Sequence, residues 1–203
     1  MKREQITVKT PDGFTVKVPA QLLASAVIAA LIGKSGGVQL PAAQVAQPAT
    51  EVPAIGEYWP DQGGHNAGLV AERNGVPAHY LIVAAKDIGN HEWGGRGKES
   101  VATSKFDGWE NTAALSSEGG RPAATAATEY SADGHVDFYL PAAAELYHCW
   151  LNDPERFSKD CWYWSSTQRS ANLAFFMYFD GGFQGNCDKL NELRVRPVRR
   201  LFI

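Results

Sequence analysis

The amino-acid sequence predicts an α+β protein in which a loop-rich antiparallel sheet carries two helices, preceded by a small N-terminal hairpin and helix. Three observations lead to this prediction. Residues 161–203 are rich in aromatic and β-branched side chains, which favour strands over helices. Residues 141–150 begin with proline and place Leu146 and Trp150 at helical spacing. Residues 5–18 alternate about an Asp-Gly pair, which is a strong hairpin signal.

The first part of the chain is predicted to be separate from the main domain. After the hairpin, residues 20–33 form an apolar, alanine-rich helix that is too short to span a bilayer. A hairpin ahead of an apolar core also argues against a signal peptide. Because a helix that is apolar on nearly every face must bury against something, we expect residues 1–33 to dock or oligomerise the chain. A homo-oligomer, for example a trimer, is one interpretation, and packing on the main domain is the other.

A linker and the main domain follow. Residues 34–54 are rich in Pro, Ala and Gly and read as a semi-extended linker. The main domain is expected to cover residues 55–203. Its predicted elements are a buried strand over residues 79–84, helices over residues 111–115, 123–130 and 141–150, and a strand over residues 136–140. Residues 86–110 are loop-like, and we expect Trp93 and Trp109 to anchor these loops.

The last stretch is predicted to be strand, turn, long loop and strand. Residues 173–179 form an apolar run, and glycines 181 and 182 supply the turn. A polar loop over residues 184–191 is expected before the alternating strand of residues 193–196.

Composition excludes several classes of protein. A net charge of -3 and a pI of about 5.9 leave no electrostatic footprint for nucleic acid. Four arginines cluster near the end, at positions 194, 196, 199 and 200, and we interpret them as a solvated strand face with salt-bridge partners rather than a phosphate site. The cysteines, Cys149, Cys161 and Cys187, are too few for a disulfide scaffold and are expected to be free thiols.

No residue pattern predicts catalysis, a metal site or a cofactor. Glu145 and His148 lie three apart on one helix face, which suits a metal, but no second His or Cys pair supports them. A hydrogen-bonded helix surface is the preferred interpretation. Ser165 and Ser166 lack the glycine frame of a nucleophile elbow.

Several ordered blocks carry a family resemblance. They are IGEYWPDQGG from residue 55, HYLIV from 79, WGGRGK from 93, FDGWENTAAL from 106, GHVDFYLPAAAELY from 134, and finally WYWSSTQ, FDGG, DK and RVRPVRR. In this order they resemble the bacterial and phage DUF1566 (Lcl C-terminal) domains, over about residues 55–203. The resemblance implies a C-type-lectin-like fold related to that of formylglycine-generating enzymes.

The resemblance also bears on enzymatic activity and on calcium binding. In formylglycine-generating enzymes cysteines are the working residues, but Cys161 and Cys187 show no supporting pattern, so an enzyme is the least favoured reading. Calcium-dependent lectins hold the ion through a WND triplet. The nearest string here is Trp150 to Asp153, placed after a helix, which puts calcium-mediated sugar binding in doubt.

Within the resembling group, the variable proteins of diversity-generating retroelements recognise ligands by a displayed surface. Their variable residues lie between the WSS motif and the RPVRR end. Carried over by position, the implied ligand-binding residues are Gln168, Arg169, Ser170, Asn172, Leu173, Phe176, Tyr178, Asp180, Phe183, Asn186, Asp188, Leu190 and Asn191.

Strand alternation supports part of this set. If Phe175, Met177 and Phe179 point into the core, Phe176 and Tyr178 point outward. The alternative is that Phe176 and Tyr178 form a second buried layer under the loop of residues 86–110. Other residues of the stretch are expected to be framework, namely Trp164, Ser165, Ser166, Gly182, Lys189 and Glu192.

The predicted function is non-enzymatic recognition of a protein or glycan receptor on a host or neighbouring cell. The chain would be displayed on a phage tail or a bacterial surface, after synthesis in the cytoplasm without a clear signal peptide. It would neither bind nucleic acid nor span the membrane. The alternative is a structural subunit for virion or tail assembly, whose C-terminal face docks a neighbouring subunit.

Overall fold

The computed structural model describes residues 5–9, 15–19 and 52–203, and the chain divides into two units, residues 1–50 and 51–203. The division lies within the predicted linker. In the first unit, β1 (Gln5–Lys9) and β2 (Thr15–Pro19) pair antiparallel, with Thr7 opposite Lys17. The predicted hairpin is therefore confirmed. The apolar segment over residues 20–33 lies outside the described residues.

The second unit contains helices and two sheets, and it is described by itself. Its strands are β3 (Tyr58–Trp59), β4 (Gly64–Val70), β5 (His79–Ala84), β6 (Asn90–Glu92), β7 (Trp162–Gln168), β8 (Leu173–Tyr178), β9 (Phe183–Asp188), β10 (Glu192–Arg194) and β11 (Val198–Phe202). Its helices are α1 (Gly108–Glu118), α2 (Pro122–Glu129) and α3 (Ala143–Asn152), followed by a 3₁₀ turn (Pro154–Arg156).

The strands form a four-stranded and a five-stranded sheet. The orders are β11-β5-β4-β3 and β6-β10-β7-β8-β9. Every pairing is antiparallel except that of β10 with β7. The α+β class is confirmed, but the described part of the chain has three α-helices where the fold class predicted two.

Two hydrophobic clusters hold the unit together. The first lies between the sheets and α3 and joins Leu81 and Val83 of β5 to Leu146 of α3 and Met177 of β8. The second packs α1 and α2 on the five-stranded sheet around the buried Trp164. Both faces of β7 and β8 are thus covered over part of their length, which removes the simple alternation of a half-exposed sheet.

The individual predictions fare unevenly. The strand over residues 79–84 is confirmed as β5, whose run of apolar residues is buried. Residues 136–140 form no strand and contribute a single bridge, Tyr139 with Val198. The polar residues 184–188, expected in a loop, belong to β9 because their backbone pairs in register with β8. Only Leu193 and Arg194 of the predicted strand over residues 193–196 lie in a strand, β10, and the next strand begins at Val198, after Pro197, which has no N–H to donate to a ladder.

Helix α3 begins later than the sequence predicted. Pro141 precedes the N-cap residue Ala142 instead of occupying the first helical position. The backbone N–H of Ala142, which has no partner within the helix, donates to Oε2 of Glu145 at 2.8 Å. Glu145 is 4% exposed, so the interpretation of Glu145 and His148 as a helix surface is wrong for the glutamate.

The C-terminal arginines are paired, as predicted, but they are not a solvated face. Arg196, Arg199 and Arg200 are buried. Arg199 forks onto Asp137 at 2.8 and 3.1 Å, and Arg196 reaches Asp87 at 3.2 Å. Buried guanidinium groups need such partners, because an isolated buried charge is costly.

No helix among the described residues is long and apolar enough to cross a membrane. The cysteines are free thiols, as expected. Cys149 is fully buried, and burial raises the pKa of its thiol well above the ordinary value.

Candidate ligand-binding face

Strands β7, β8 and β9 place four aromatic side chains on one face of the five-stranded sheet. In the register, Trp162 lies opposite Tyr178, and Tyr178 lies opposite Phe183. Directly opposed residues of antiparallel strands share a face, and Phe176 joins them two residues before Tyr178. We call Trp162, Phe176, Tyr178 and Phe183 the aromatic face.

The rings of the aromatic face are mutually packed. Trp162 stacks on Phe176 with ring centroids 4.6 Å apart and planes inclined by 12°. Phe183 meets Phe176 edge-on at 6.1 Å. Phe176 is 5% exposed, whereas Trp162 is 44% and Phe183 60% exposed. Phe176 is therefore the floor on which two displayed rings rest.

A glycine makes this floor possible. Gly185 lies opposite Phe176 in the register. A Cβ atom on Gly185 would come within 2.7 Å of the Phe176 ring and 2.9 Å of the Phe183 ring. A larger residue at this position would therefore push both rings apart.

A cleft of about 320 Å³ adjoins the aromatic face beside Trp162 and Tyr178. Its remaining lining residues are Asn90, Asp160, Cys161, Glu192, Leu193 and Arg194. Arg194 is held at the wall by Asp87 at 3.1 Å and by Asn90 at 3.2 Å. The cleft thus offers carboxylates, an amide and a paired guanidinium next to apolar rings.

The candidate residues implied by the resemblance do not form one surface. Tyr178, Asp180 and Phe183 lie at the β8–β9 turn, next to Trp162. Most of the others lie at the opposite end of β8, about 17 Å away for a six-residue strand. There the β7–β8 and β9–β10 turns meet, and the Lys189 amide donates to the Asn172 carbonyl at 3.0 Å. We call this second group the turn end, and it comprises Arg169, Ser170, Asn172, Leu173, Asp188, Leu190 and Asn191.

Exposure also divides the set. Arg169, Asn172, Asp180, Phe183, Asn186, Leu190 and Asn191 are exposed, and Ser170, Leu173, Tyr178 and Asp188 are half-buried. Gln168 and Phe176 are buried. Asp188 is held by Arg96 at 2.8 Å, and this ion pair lowers the pKa of its carboxyl below the ordinary value.

The prediction that Phe176 is displayed at a binding face is wrong, because the ring is buried, although Tyr178, two residues on, is half-exposed. Alternation places Phe176 on the face opposite Met177, as expected. That face, however, is covered near Phe176 by the Trp162 ring and by the cluster around Trp164. The alternative of a second buried layer therefore describes Phe176.

Gln168 belongs to a buried polar network rather than to a surface. Its amide nitrogen donates to Glu99 at 2.7 Å, and its amide oxygen accepts from the Lys189 ammonium at 2.6 Å. Lys189 also donates to the Lys98 carbonyl and lies 4.5 Å from the centroid of the buried Trp93 ring. Burial lowers the pKa of Lys189 to about 8.

The framework expectation is met for Trp164, Ser165, Ser166 and Lys189, which are buried, but not for Glu192, which is exposed. Trp164 donates its indole N–H to the His91 carbonyl at 2.9 Å, and Ser165 donates its hydroxyl to the Phe175 carbonyl at 2.9 Å. Trp93 is a buried anchor, as predicted. Trp109 is not one, since it lies in α1 and is 57% exposed.

Sequence reasoning missed Trp162 as a candidate. The signal was present in the motif itself, because residues at i and i+2 of a strand share a face, so Trp162 and Trp164 point to the same side. Nothing in the sequence told which of the two would be covered. Trp164 lies under α1 and α2, and Trp162 lies beyond them.

Among residues 52–203 and the hairpin strands, no three His, Cys, Asp or Glu side chains converge as metal ligands would. His148 receives a hydrogen bond of 2.9 Å from Asn152, and burial lowers its pKa. No protein-family model matches the chain, and no curated protein matches it.

Proposed function

We propose that this chain is a non-enzymatic recognition protein with a C-type-lectin-like fold, and that it binds its ligand on the aromatic face. The ordered sequence blocks support the fold, together with the loop-rich, largely antiparallel sheets and their helices. The proposed receptor is a protein or glycan on a host or neighbouring cell.

One observation carries the proposal, namely that two large rings are displayed to solvent yet packed on one buried ring. The parallel stack with Phe176 limits the rotation of Trp162, and Phe183 rests edge-on against the same ring. A ligand that covers rings already fixed loses less side-chain entropy on binding than one that must order them. Aromatic anchors of this kind dominate the energy of many interfaces.

Polar groups beside the rings add selectivity. Asp160, Asn90 and Arg194 line the adjoining cleft, and Asp180 lies in the turn after Tyr178. Amides and carboxylates that surround aromatic anchors fix the orientation of a ligand through hydrogen bonds.

We further propose display on a phage tail or bacterial surface, with residues 1–33 joining copies into a homo-oligomer such as a trimer. Several copies that bind one cell surface raise a weak single-site affinity by avidity. The proposal includes diversification by a retroelement. Deep sequencing of the codons for residues 160–203 in a propagated population tests this part. Variation should occur at exposed positions such as Phe183 and spare the buried Gln168 and Phe176.

The binding experiment uses the full chain, labelled with a fluorophore and mixed with a panel of intact bacterial strains. The double variant Trp162→Ala, Phe183→Ala should bind at least about tenfold more weakly, because two anchors are lost. Val136→Ser removes an exposed apolar side chain outside the aromatic face and serves as the control. Equal binding by the double variant and wild type would refute the assignment of the face.

A further inference from the structure

The outer edge of β11 is only partly covered. At Val198 the edge is closed, because Val198 and Tyr139 exchange two backbone hydrogen bonds of 2.8 and 3.0 Å. Backbone groups of a strand point alternately to its two sides, so those of Arg200 and Phe202 face the same outer side as those of Val198. Neither residue makes a backbone hydrogen bond on that side to any residue that the structure describes.

A slot of about 290 Å³ lies along this free edge. Arg200 and Phe202 form one wall, Asp137 and Tyr139 form the other, and Trp109 of α1 borders both. The slot is mostly apolar. Trp109 is 57% and Phe202 58% exposed, so both rings have surface left to cover.

A buried donor also lies at the slot. Arg200 is 9% exposed, and its Nη2 is shared between Asp107 at 3.0 Å and Glu145 at 2.8 Å. Its Nε–H has no hydrogen-bond partner among the described residues. A buried donor without an acceptor costs free energy, so this side of β11 is not fully satisfied by the residues that the structure describes.

The charges at the slot select against an acidic occupant. The charged residues that line the slot are Asp137 and Arg200. The Asp137 side chain is 49% exposed, whereas that of Arg200 is 8% exposed. The accessible charge at the slot is therefore negative, and a further negative charge would be repelled. A neutral or basic occupant fits.

We propose that an extended segment of a partner protein adds to β11 as a further strand, with apolar side chains on Trp109 and Phe202 and no acidic residue. The free N–H and C=O groups of Arg200 and Phe202 can pair with the backbone of an extended segment. Such main-chain hydrogen bonds supply the affinity of strand addition. Edge-to-edge pairing of two copies would bring residues 136–139 of both copies against each other, whereas a single extended segment carries no such flanking residues. This site lies on the four-stranded sheet and does not depend on the aromatic face.

The test compares two substitutions at one position. Phe202→Pro removes the ring and the outward N–H, and it leaves the pairing of β11 with β5 intact because Leu201 and Arg199 make those bonds. Phe202→Ala removes the ring alone and is the matched control. The probes are fluorescein-labelled peptides of alternating valine and threonine, flanked by lysine in one and by glutamate in the other, and binding is read by anisotropy with the full chain.

We expect the lysine-flanked peptide to bind wild type, the glutamate-flanked peptide to bind markedly more weakly, and Phe202→Pro to bind on the order of tenfold more weakly than Phe202→Ala. Thermal melts check that both variants fold. No binding to wild type, or equal binding by the two variants, would overturn the proposal. Light scattering that shows dimers in Phe202→Ala but not in Phe202→Pro would also overturn it, in favour of self-pairing.

Discussion

Arg200 and Glu145 form a buried ion pair, with Nη2 and Oε1 2.8 Å apart and both side chains less than one-tenth exposed. The same carboxylate accepts the Tyr139 hydroxyl at 2.7 Å and the backbone N–H groups of Ala142 and Gly108. One side chain therefore connects β11 to the starts of α1 and α3, and it accepts a backbone donor at each helix start.

Glu145→Gln should destabilise the chain by about 3–5 kcal/mol, because it leaves the buried Arg200 without one of its carboxylates. Urea unfolding measures the loss. Glu155→Gln breaks the exposed pair with Lys159, 2.7 Å long, and should cost less than about 1 kcal/mol. Equal losses in the two variants would contradict the role assigned to burial.

Gly182→Ala should destabilise more than Gly181→Ala. Both glycines have positive φ, 75° and 80°, so an alanine at either costs about 1–2 kcal/mol in backbone strain. At Gly182 the new Cβ would also overlap the indole of Trp150, whereas at Gly181 nothing lies within 4 Å. The overlap should add about 1–3 kcal/mol, and equal melting temperatures for the two variants would show that Trp150 does not pack there.

The contribution of Lys189 to the free energy of unfolding should increase with pH. Burial lowers its folded-state pKa to about 8 from an ordinary 10.5, so above pH 8 the unfolded chain holds a proton that the folded chain has released. Wild type should therefore gain stability relative to Lys189→Met as the pH rises from about 8 to about 10, by at most about 1.4 kcal/mol per pH unit.

The exposed Lys159→Met is the matched control for this experiment. The unfolding free energies of the three proteins are compared at each pH. A constant difference between wild type and Lys189→Met across this range would mean that Lys189 keeps its ordinary pKa.

Two phenylalanines of the aromatic face should differ in their effect on stability. Phe176→Ala should cost about 3–5 kcal/mol because the ring is 5% exposed and carries two neighbours. Phe183→Ala, at a ring 60% exposed, should cost less than about 1 kcal/mol. Similar losses would show that Phe183 is part of the core and not available to a ligand.

The sequence predicted those elements that depend on residues close together in the chain. The Asp-Gly turn identified the first hairpin, and the apolar run at residues 79–84 coincides with β5. Alternation predicts one strand over residues 193–196, but β10 ends at Arg194 and β11 begins at Val198 in the other sheet. This change of sheet depends on tertiary packing, which local alternation does not encode.

The candidate site was harder to predict because it depends on which surfaces pack. Period-two alternation gave the correct side for Phe176 but not its burial, which Trp162 and the second cluster impose. Gln168 has the polarity of a surface residue, yet it is buried because its amide hydrogen-bonds to Lys189 and Glu99. The distance between the aromatic face and the turn end follows from strand pairing, which reading along the chain does not show.

The most direct measurement of the central proposal is hydroxyl-radical footprinting of the full chain, free and bound to bacterial envelopes. We predict that oxidation of Trp162, Tyr178 and Phe183 falls on binding, while that of Tyr58, an exposed aromatic side chain on the other sheet, is unchanged. Protection of Arg169 and Leu190 at the turn end, with Trp162 and Phe183 still oxidised, would contradict the account.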